Sequence, residues 1–351
     1  MRPLSSAVRH VGSAFRPYAL AVLLAVSAVV VAVVVADAFG LPLRDPDGSA
    51  GPAYFRLPGI VAILVLLDVV PRAIRTKGNV WHILRKRYPP ERIALVGVGL
   101  AAFYLSYAAY RNLKSALPFA RPRVLDQQLL QLDRFMSFGY DPAFILHSLL
   151  GTGVTAYVLS AVYLLYLGLV PASLGIALVW CRSVRTASWY VTALCLNWLL
   201  GAASYYLVPS LGPAFVRPDL FSDLPVTGVS HLQENLATAR LAVLADPIGA
   251  NTLAGVAGFA SLHVSVVFTA ALVAHRIGLP RVVRWSIWAF LGLTMTATTY
   301  FGWHYLVDDV AGLALGALAV SIADRATRRV PVEPTRKVPE AIRDFEQSVA
   351  S

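Results

Sequence analysis

The sequence predicts an all-α, polytopic transmembrane helical bundle of about eight spans, and three observations carry that class. Of the 351 residues, 57% are hydrophobic and only 14% charged, against roughly 25% charged in soluble domains, and the mean hydropathy is +0.64. The apolar runs are long and uninterrupted, near the roughly 20 residues a helix needs to cross the hydrocarbon core, so the spanning elements are helices and not barrel strands. The Lys and Arg residues, finally, concentrate in alternate connecting segments, which is the signature of membrane topology.

The spans fall at about 17–39, 57–74, 93–112, 154–180, 187–208, 262–279, 284–301 and 303–323. The first follows Arg2, Arg9 and Arg16, and Ala36-Asp37-Ala38 resembles a signal-peptidase site. Its apolar stretch, Tyr18 to Ala36, exceeds the usual 7 to 15 residue core of a cleaved signal, so an uncleaved anchor is expected. The second span carries Asp68, which leaves open an interfacial or kinked helix. Between the third and fourth spans, Asp126 to Asp133 reads as an amphipathic outer helix. The stretch Asp141 to Gly151 is apolar but too short to cross, so both are expected along the interface. The segment 209–260, with Pro209, Pro213, Pro218, Pro225 and Pro247, reads as an ordered irregular cover and not as a helix. His231 and Glu234 within it are expected to be solvated, and His147 to be structural. Neither Cys181 nor Cys195 suggests a disulfide, and no internal repeat is found. Three units follow: 1–92 with two membrane helices and a basic loop, 93–323 as the catalytic transmembrane domain, and 324–351 as a mobile cytoplasmic tail.

With a cytoplasmic N-terminus, all but nine of the 30 Lys and Arg residues lie on the inner side. The +11 net charge is therefore a topology signal with contacts to anionic membrane lipids, and no nucleic-acid partner is expected. Both termini are then cytoplasmic, and the Ala, Val and Arg richness suits a GC-rich bacterial genome and a bacterial plasma membrane. The nine outer cations are Arg44, Arg56, Arg111, Lys114, Arg121, Arg123, Arg134, Arg217 and Arg240. Four of them fall between 111 and 123, and topology does not explain a cation cluster there; an anionic partner does.

The same count of span ends places His263, at the head of the sixth span, and His304, at the head of the eighth, at that outer rim. Residues four apart share a helical face, so Asp308 can accept the His304 ring N–H and fix its tautomer. A histidine so backed can give and take protons at an alkoxide. His263 has no carboxylate within a turn and is free to attack phosphorus, splitting one displacement into two steps. Lys114 and Arg121 would neutralise the phosphoryl oxygens. The bland alternatives are a His/Asp pair that satisfies two buried groups, a rim histidine at the water interface, and snorkelling cations.

These residues resemble the type 2 phosphatidic acid phosphatase superfamily. Its first motif, Lys followed after six residues by Arg-Pro, is matched by Lys114 and Arg121-Pro122. The second, Pro-Ser-Gly-His, is approximated by Ala260-Ser261-Leu262-His263, and the third, a His with Asp four residues on, by His304 and Asp308. The resemblance covers roughly residues 93 to 323 and implies a six-helix catalytic core. It implies His263 as nucleophile, His304 as general acid and base, Asp308 as its orienter, Lys114 and Arg121 as phosphate clamp, and Ser261 as a further phosphate hydrogen bond. No metal or cofactor is implied. Two departures matter. Ala297-Thr298 stands where the pattern has Ser-Arg, with Arg111 or Arg123 as substitutes, and Ser-Leu-His replaces Ser-Gly-His. The second departure, with His304-Tyr305 and Pro209-Ser210-Leu211-Gly212-Pro213, looks more like the branch containing inositol phosphorylceramide synthases. The expected activity is phosphotransfer from a lipid phosphate or phosphodiester at the extracytoplasmic face to an alcohol such as inositol or a lipid hydroxyl. Two alternatives stay open: a phosphatase with water as acceptor, and a non-catalytic lipid-binding or transport protein.

Overall fold

A computed structural model describes residues 16–48 and 51–328. Arg2 and Arg9, and the tail beyond Arg328, lie outside the described residues. All eight expected spans are helices: α1 (Ala19–Ala38), α2 (Ala53–Thr76), α4 (Pro90–Ala120), α7 (Val154–Val179), α8 (Val184–Leu207), α11 (Leu262–Arg276), α12 (Arg281–Tyr300) and α13 (Leu306–Arg328). Short helices connect them: α3 (Val80–Arg87), α5 (Asp126–Met136), α6 (Pro142–Leu150), α9 (Pro213–Val216) and α10 (Gly228–Ala245). The only strands among the described residues are a two-residue antiparallel pair, Asp47–Gly48 with Gly51–Pro52. Helices α1 (with its preceding turn), α2, α4, α7 and α13 are long and apolar enough to cross a membrane, and the chain is an integral membrane protein.

The bundle is built around α8, which touches α1, α4, α7, α11 and α13 and is buried almost all round from Ala187 to Trp198. A helix surrounded by protein need not be apolar toward lipid, so α8 carries Thr192 and Asn197 in its core. Asn197 donates to the Thr269 hydroxyl of α11 at 3.0 Å and accepts from Ser265. The Trp189 ring N–H bonds the Val320 carbonyl of α13 at 3.0 Å. Helix α1 lays a stripe of Ala21, Ala25, Ala28, Ala32 and Ala36 against the bundle, principally on α4; small side chains every three or four residues let the backbones approach.

Asp68 does not break the second span. Its carboxylate lies 2.6 Å from Arg87, 3.1 Å from Arg72 and 2.9 Å from the Tyr88 hydroxyl. Helix α2 therefore runs continuously through it, and the folded-back α3 supplies the partners a buried carboxylate requires. The sixth span is shorter than expected. Ile277 caps α11 and Gly278 turns with φ +69°, so the helix ends three residues early at a glycine stop. The outer cover also differs: 228–245 forms the 18-residue helix α10. Its prolines cluster on either side, and the Thr227 and Ser230 side chains form a capping box at its start, which a reading weighted by proline count overlooks. His231 and Glu234 face solvent on it.

Helices α11 and α13 approach each other closely. A Cβ on Gly312 would lie 2.4 Å from the Ser261 carbonyl oxygen, and one on Gly316 2.7 Å from that of Ser265. Two glycines four apart thus set the helix separation. Gly312→Ala should cost roughly 1–3 kcal/mol, the usual range for an overpacked core. Thermal unfolding in detergent would register it as a lowered midpoint, and an unchanged midpoint would show that α13 is free to shift.

Candidate active site

The C-terminal ends of α4 and α8 and the N-terminal ends of α7, α11 and α13 meet at one rim of the bundle, where α5, α6 and α10 also lie. Ser261 ends the preceding loop as the N-cap of α11, its hydroxyl accepting the Val264 N–H at 3.4 Å. Its own N–H donates to the Asp308 carbonyl at 3.0 Å, so the first turns of α11 and α13 are tied together. His263 is the second residue of α11. His304, expected within the eighth span, instead lies two residues ahead of α13. The turn that carries it is held by the Thr298 carbonyl, which accepts from Trp303 N–H at 2.9 Å and His304 N–H at 3.4 Å.

This brings the two imidazoles into contact. His263 Nδ1 lies 2.9 Å from His304 Nε2. His304 Nδ1 lies 3.4 Å from Asp308 Oδ2, a long contact, because the same oxygen accepts the Tyr305 N–H at 3.0 Å. The Tyr163 hydroxyl of α7 lies 2.9 Å from His263 Nε2. With Asp308 ionised and so only accepting, one proton arrangement satisfies the chain. His304 carries its proton on Nδ1, its Nε2 accepts from His263 Nδ1–H, and His263 Nε2 accepts from the Tyr163 O–H. Tyr163 is the component that sequence reasoning missed, since one tyrosine in an apolar span carries no pattern. Its ring stacks on Trp303, with centroids 5.1 Å apart and planes within 5°, and Phe215 meets Trp303 edge-on. His304 is only 3% exposed beneath this aromatic cover, whereas His263 is half-buried.

Among the expected cations, Lys114 is the one at the centre. Its ammonium stands 5.2 Å from the Tyr205 ring and 6.0 Å from that of Tyr110, near enough for its charge to act on both imidazoles. Arg111, a turn earlier on α4, is half-buried, and its Nε makes no hydrogen bond. Arg121 and Arg123 are exposed on the segment after α4 and contact neither histidine. Ser261 is fully buried and occupied as a cap. At the position of the absent motif arginine, the Thr298 hydroxyl donates to Asp309 at 3.0 Å, and Thr299 adds a second donor. Among the described residues, no group of three or more His, Cys, Asp or Glu is placed to hold a metal ion.

Two carboxylates of α5 hold this rim together. Asp126 accepts from the Leu211 and Gly212 N–H groups at 3.0 and 2.9 Å and from the Tyr305 hydroxyl at 3.0 Å. Asp133 accepts from Leu306 and Val307 at 2.7 and 3.0 Å. It thereby satisfies two of the orphan donors at the start of α13 from a different helix. His147 of α6 meets the Tyr300 carbonyl at 2.8 Å, as its structural reading expected. On the outer side of this layer Phe135, Phe138, Tyr140 and Phe144 are all exposed.

Fold and site together define a helical membrane protein that holds two histidines and an aspartate in one buried polar cluster. A profile described as the PAP2 superfamily matches residues 127–322, more than half of the chain, and the protein belongs to that superfamily. Membership carries a phosphatase- or phosphotransferase-type activity on lipid phosphates. Lys114 and Arg121 lie ahead of the matched segment. No curated protein matches the chain, and no solved structure does.

Burial pushes the Asp133 carboxyl up to about 6, with the Asp308 and Asp141 charges adding to it, although the Val307 and Leu306 N–H groups pull the other way. A carboxyl raised in the folded state favours folding when protonated, so its contribution grows as pH falls from 7 through 6 toward 4 and is lost as pH rises. The melting temperature of the wild type relative to Asp133→Asn should therefore rise on acidification over that window. A constant difference would mean that Asp133 does not titrate there.

Proposed function

We propose that the protein is a lipid phosphotransferase that works through a phosphohistidine at the extracytoplasmic face of a bacterial plasma membrane. It takes a lipid phosphate or phosphodiester as donor and passes the phosphoryl-bearing group to an alcohol such as inositol or a lipid hydroxyl. The inositol phosphorylceramide synthase-like branch is the one whose motif variants it shares. The observation that supports transfer over hydrolysis is the aromatic cover of Tyr163, Trp303 and Phe215, because a phosphohistidine shielded from water survives long enough to meet an organic acceptor.

The hydrogen-bond chain favours exchanging the roles first assigned to the two histidines. Attack on phosphorus leaves a positive charge on the attacking ring. Behind His304 stands the Asp308 carboxylate, which stabilises such a ring; behind His263 stands only the Tyr163 phenol. His304 Nε2 therefore attacks phosphorus, and the bond to the leaving oxygen breaks. His263 Nδ1–H supplies the proton that this oxygen needs. In the second half, His263 takes the proton of the acceptor hydroxyl, the acceptor oxygen attacks phosphorus, and the P–N bond breaks. Lys114 and Arg111 balance the charge on the phosphoryl oxygens. Arg121 and Arg123 stand where a head group would leave toward solvent. The 2.9 Å contact between the rings must open to admit phosphorus, so it represents the resting centre.

Purified protein given a labelled lipid phosphate should form an acid-labile phosphoenzyme and transfer label to inositol or another alcohol faster than to water. His304→Ala should abolish labelling. His263→Ala should still label from a donor with a good leaving group while losing at least about 100-fold with a poor one, the usual worth of a general acid. Labelling of His304→Ala would return the nucleophile to His263, and exclusive release of inorganic phosphate would make the protein a phosphatase.

The positive-inside distribution orients the bundle with the histidine rim outside. On intact cells, a membrane-impermeant maleimide should label Phe138→Cys, at a position 94% exposed, and reach Cys181, at the opposite ends of the helices, only after permeabilisation. The reverse pattern would invert the topology.

A further inference from the structure

One turn of α4 before Lys114 lies a cavity of about 390 Å³ lined by Arg44, Asp45, Arg111, Asn251, Thr252 and Leu253. Its size lies within the roughly 300–1,000 Å³ of small-ligand sites. Neither histidine, nor Asp308, nor Lys114 lines it; of the groups assigned to the reaction only Arg111 does, and three of its six residues precede the segment matched to the superfamily. The wall they form is built by the connection between α1 and α2, and it is held in place by an explicit clamp. Asn112 of α4 accepts the Arg44 N–H at 2.9 Å and donates to the Arg44 carbonyl at 2.8 Å. The guanidinium then reaches across to the Ile248 carbonyl at 2.7 Å and Asn251 Oδ1 at 3.4 Å, using two of its five donors.

The cavity's charge is unbalanced toward cations. Asp45, its only acid, is already engaged through both oxygens, by the Tyr104 hydroxyl at 2.7 Å and the Ala53 N–H at 2.7 Å. Arg44 and Arg111 have no carboxylate partner among the described residues, and Arg111 Nε is buried without any partner. Guanidinium donors left unsatisfied around an open space call for an anion with several acceptor oxygens. Arg111 also lies within electrostatic range of Lys114, which in turn acts on both imidazoles. A row of cations thus leads from the cavity to the site of chemistry.

We infer that this cavity is a second anion subsite, in which Arg44 and Arg111 hold a phosphate-type group one step removed from the phosphorus under attack. This rests on the phosphoryl-transfer reading and narrows it, since the preferred reactants carry a second phosphate. That group belongs either to the donor, as in a lipid diphosphate, or to the acceptor, as in a phosphorylated polyol.

Full-length protein in detergent, in the His304→Ala background, should bind inorganic pyrophosphate in calorimetry. Adding Arg44→Gln should weaken that binding about tenfold, the worth of one charge-assisted contact, and Asn251→Asp, which sets a carboxylate in the cavity, should weaken it at least as much. In the active enzyme, Arg44→Gln should raise KM about tenfold for a lipid diphosphate donor, or for a phosphorylated acceptor, and leave a lipid monophosphate with an unphosphorylated acceptor within twofold. Which of the two arms responds identifies the source of the anion. Arg44→Lys should recover part of the loss, which a merely misfolded Arg44→Gln would not explain. Pyrophosphate binding that is indifferent to both Arg44→Gln and Asn251→Asp overturns the subsite. Absence of any turnover with binding that still depends on Arg44 would overturn the catalytic reading and leave the subsite standing.

Discussion

Everything at the rim depends on how closely α11 and α13 approach. The two histidines sit 41 positions apart in the chain, on different elements, and only contact between those elements can set a 2.9 Å hydrogen bond between them. Gly312 and Gly316 remove the side chains that would hold the helices apart, and the Ser261 N–H to Asp308 carbonyl bond fixes how far along each other they slide. Asp308 thus has two jobs. Its backbone joins the helices, and its side chain orients the ring of His304. Moving one helix would disturb the proton chain at two of its links at once.

Around that contact, the structure resolves a general difficulty of membrane enzymes, which must keep polar groups where polar groups are expensive. The buried acids near the rim are matched to donors already present through at least one oxygen each, with Asp308 Oδ1 and Asp309 Oδ1 left without a partner. Asp133 takes the free N–H groups of α13, Asp126 those of the turn at Leu211 and Gly212, and Asp309 the hydroxyls of Thr298 and Thr299. These contacts draw the short outer helix α5 onto the catalytic turn, so the amphipathic layer is part of the scaffold as much as a covering for it. At the other end of the bundle, Asp68 follows the same rule with Arg72, Arg87 and Tyr88.

The eight helices were legible in the chain, because an apolar run bounded by charge is a one-dimensional signal, although α4 runs eight residues past the expected end at 112 and carries Lys114 within it. Asp126 to Asp133 was legible for the same reason, as one amphipathic turn after another. Helix α10 was not, since five prolines suggested irregularity although none of them falls between Thr227 and Asp246. His263, His304, Asp308 and Lys114 could be singled out by residue type, spacing and span end. What spacing could not convey was partnership. Tyr163 meets His263 across 100 positions and through a different helix. Thr298 reads as a missing arginine in sequence, but in three dimensions it is the partner of Asp309. The division of labour between the histidines likewise depends on which ring has a carboxylate behind it and what lies behind the other, and only the second half of that comparison is three-dimensional.

The exposed aromatic edge of α5 and α6 has a kinetic side. Phe135, Phe138, Tyr140 and Phe144 are side chains at home in the boundary between head groups and acyl chains, and they sit next to the elements that carry His304. An enzyme seated in this way meets its reactants by diffusion within the leaflet, in two dimensions. Its rate then follows the mole fraction of substrate in the membrane and not the amount per volume of suspension, so diluting the bilayer with inert lipid slows it whereas diluting the aqueous phase does not.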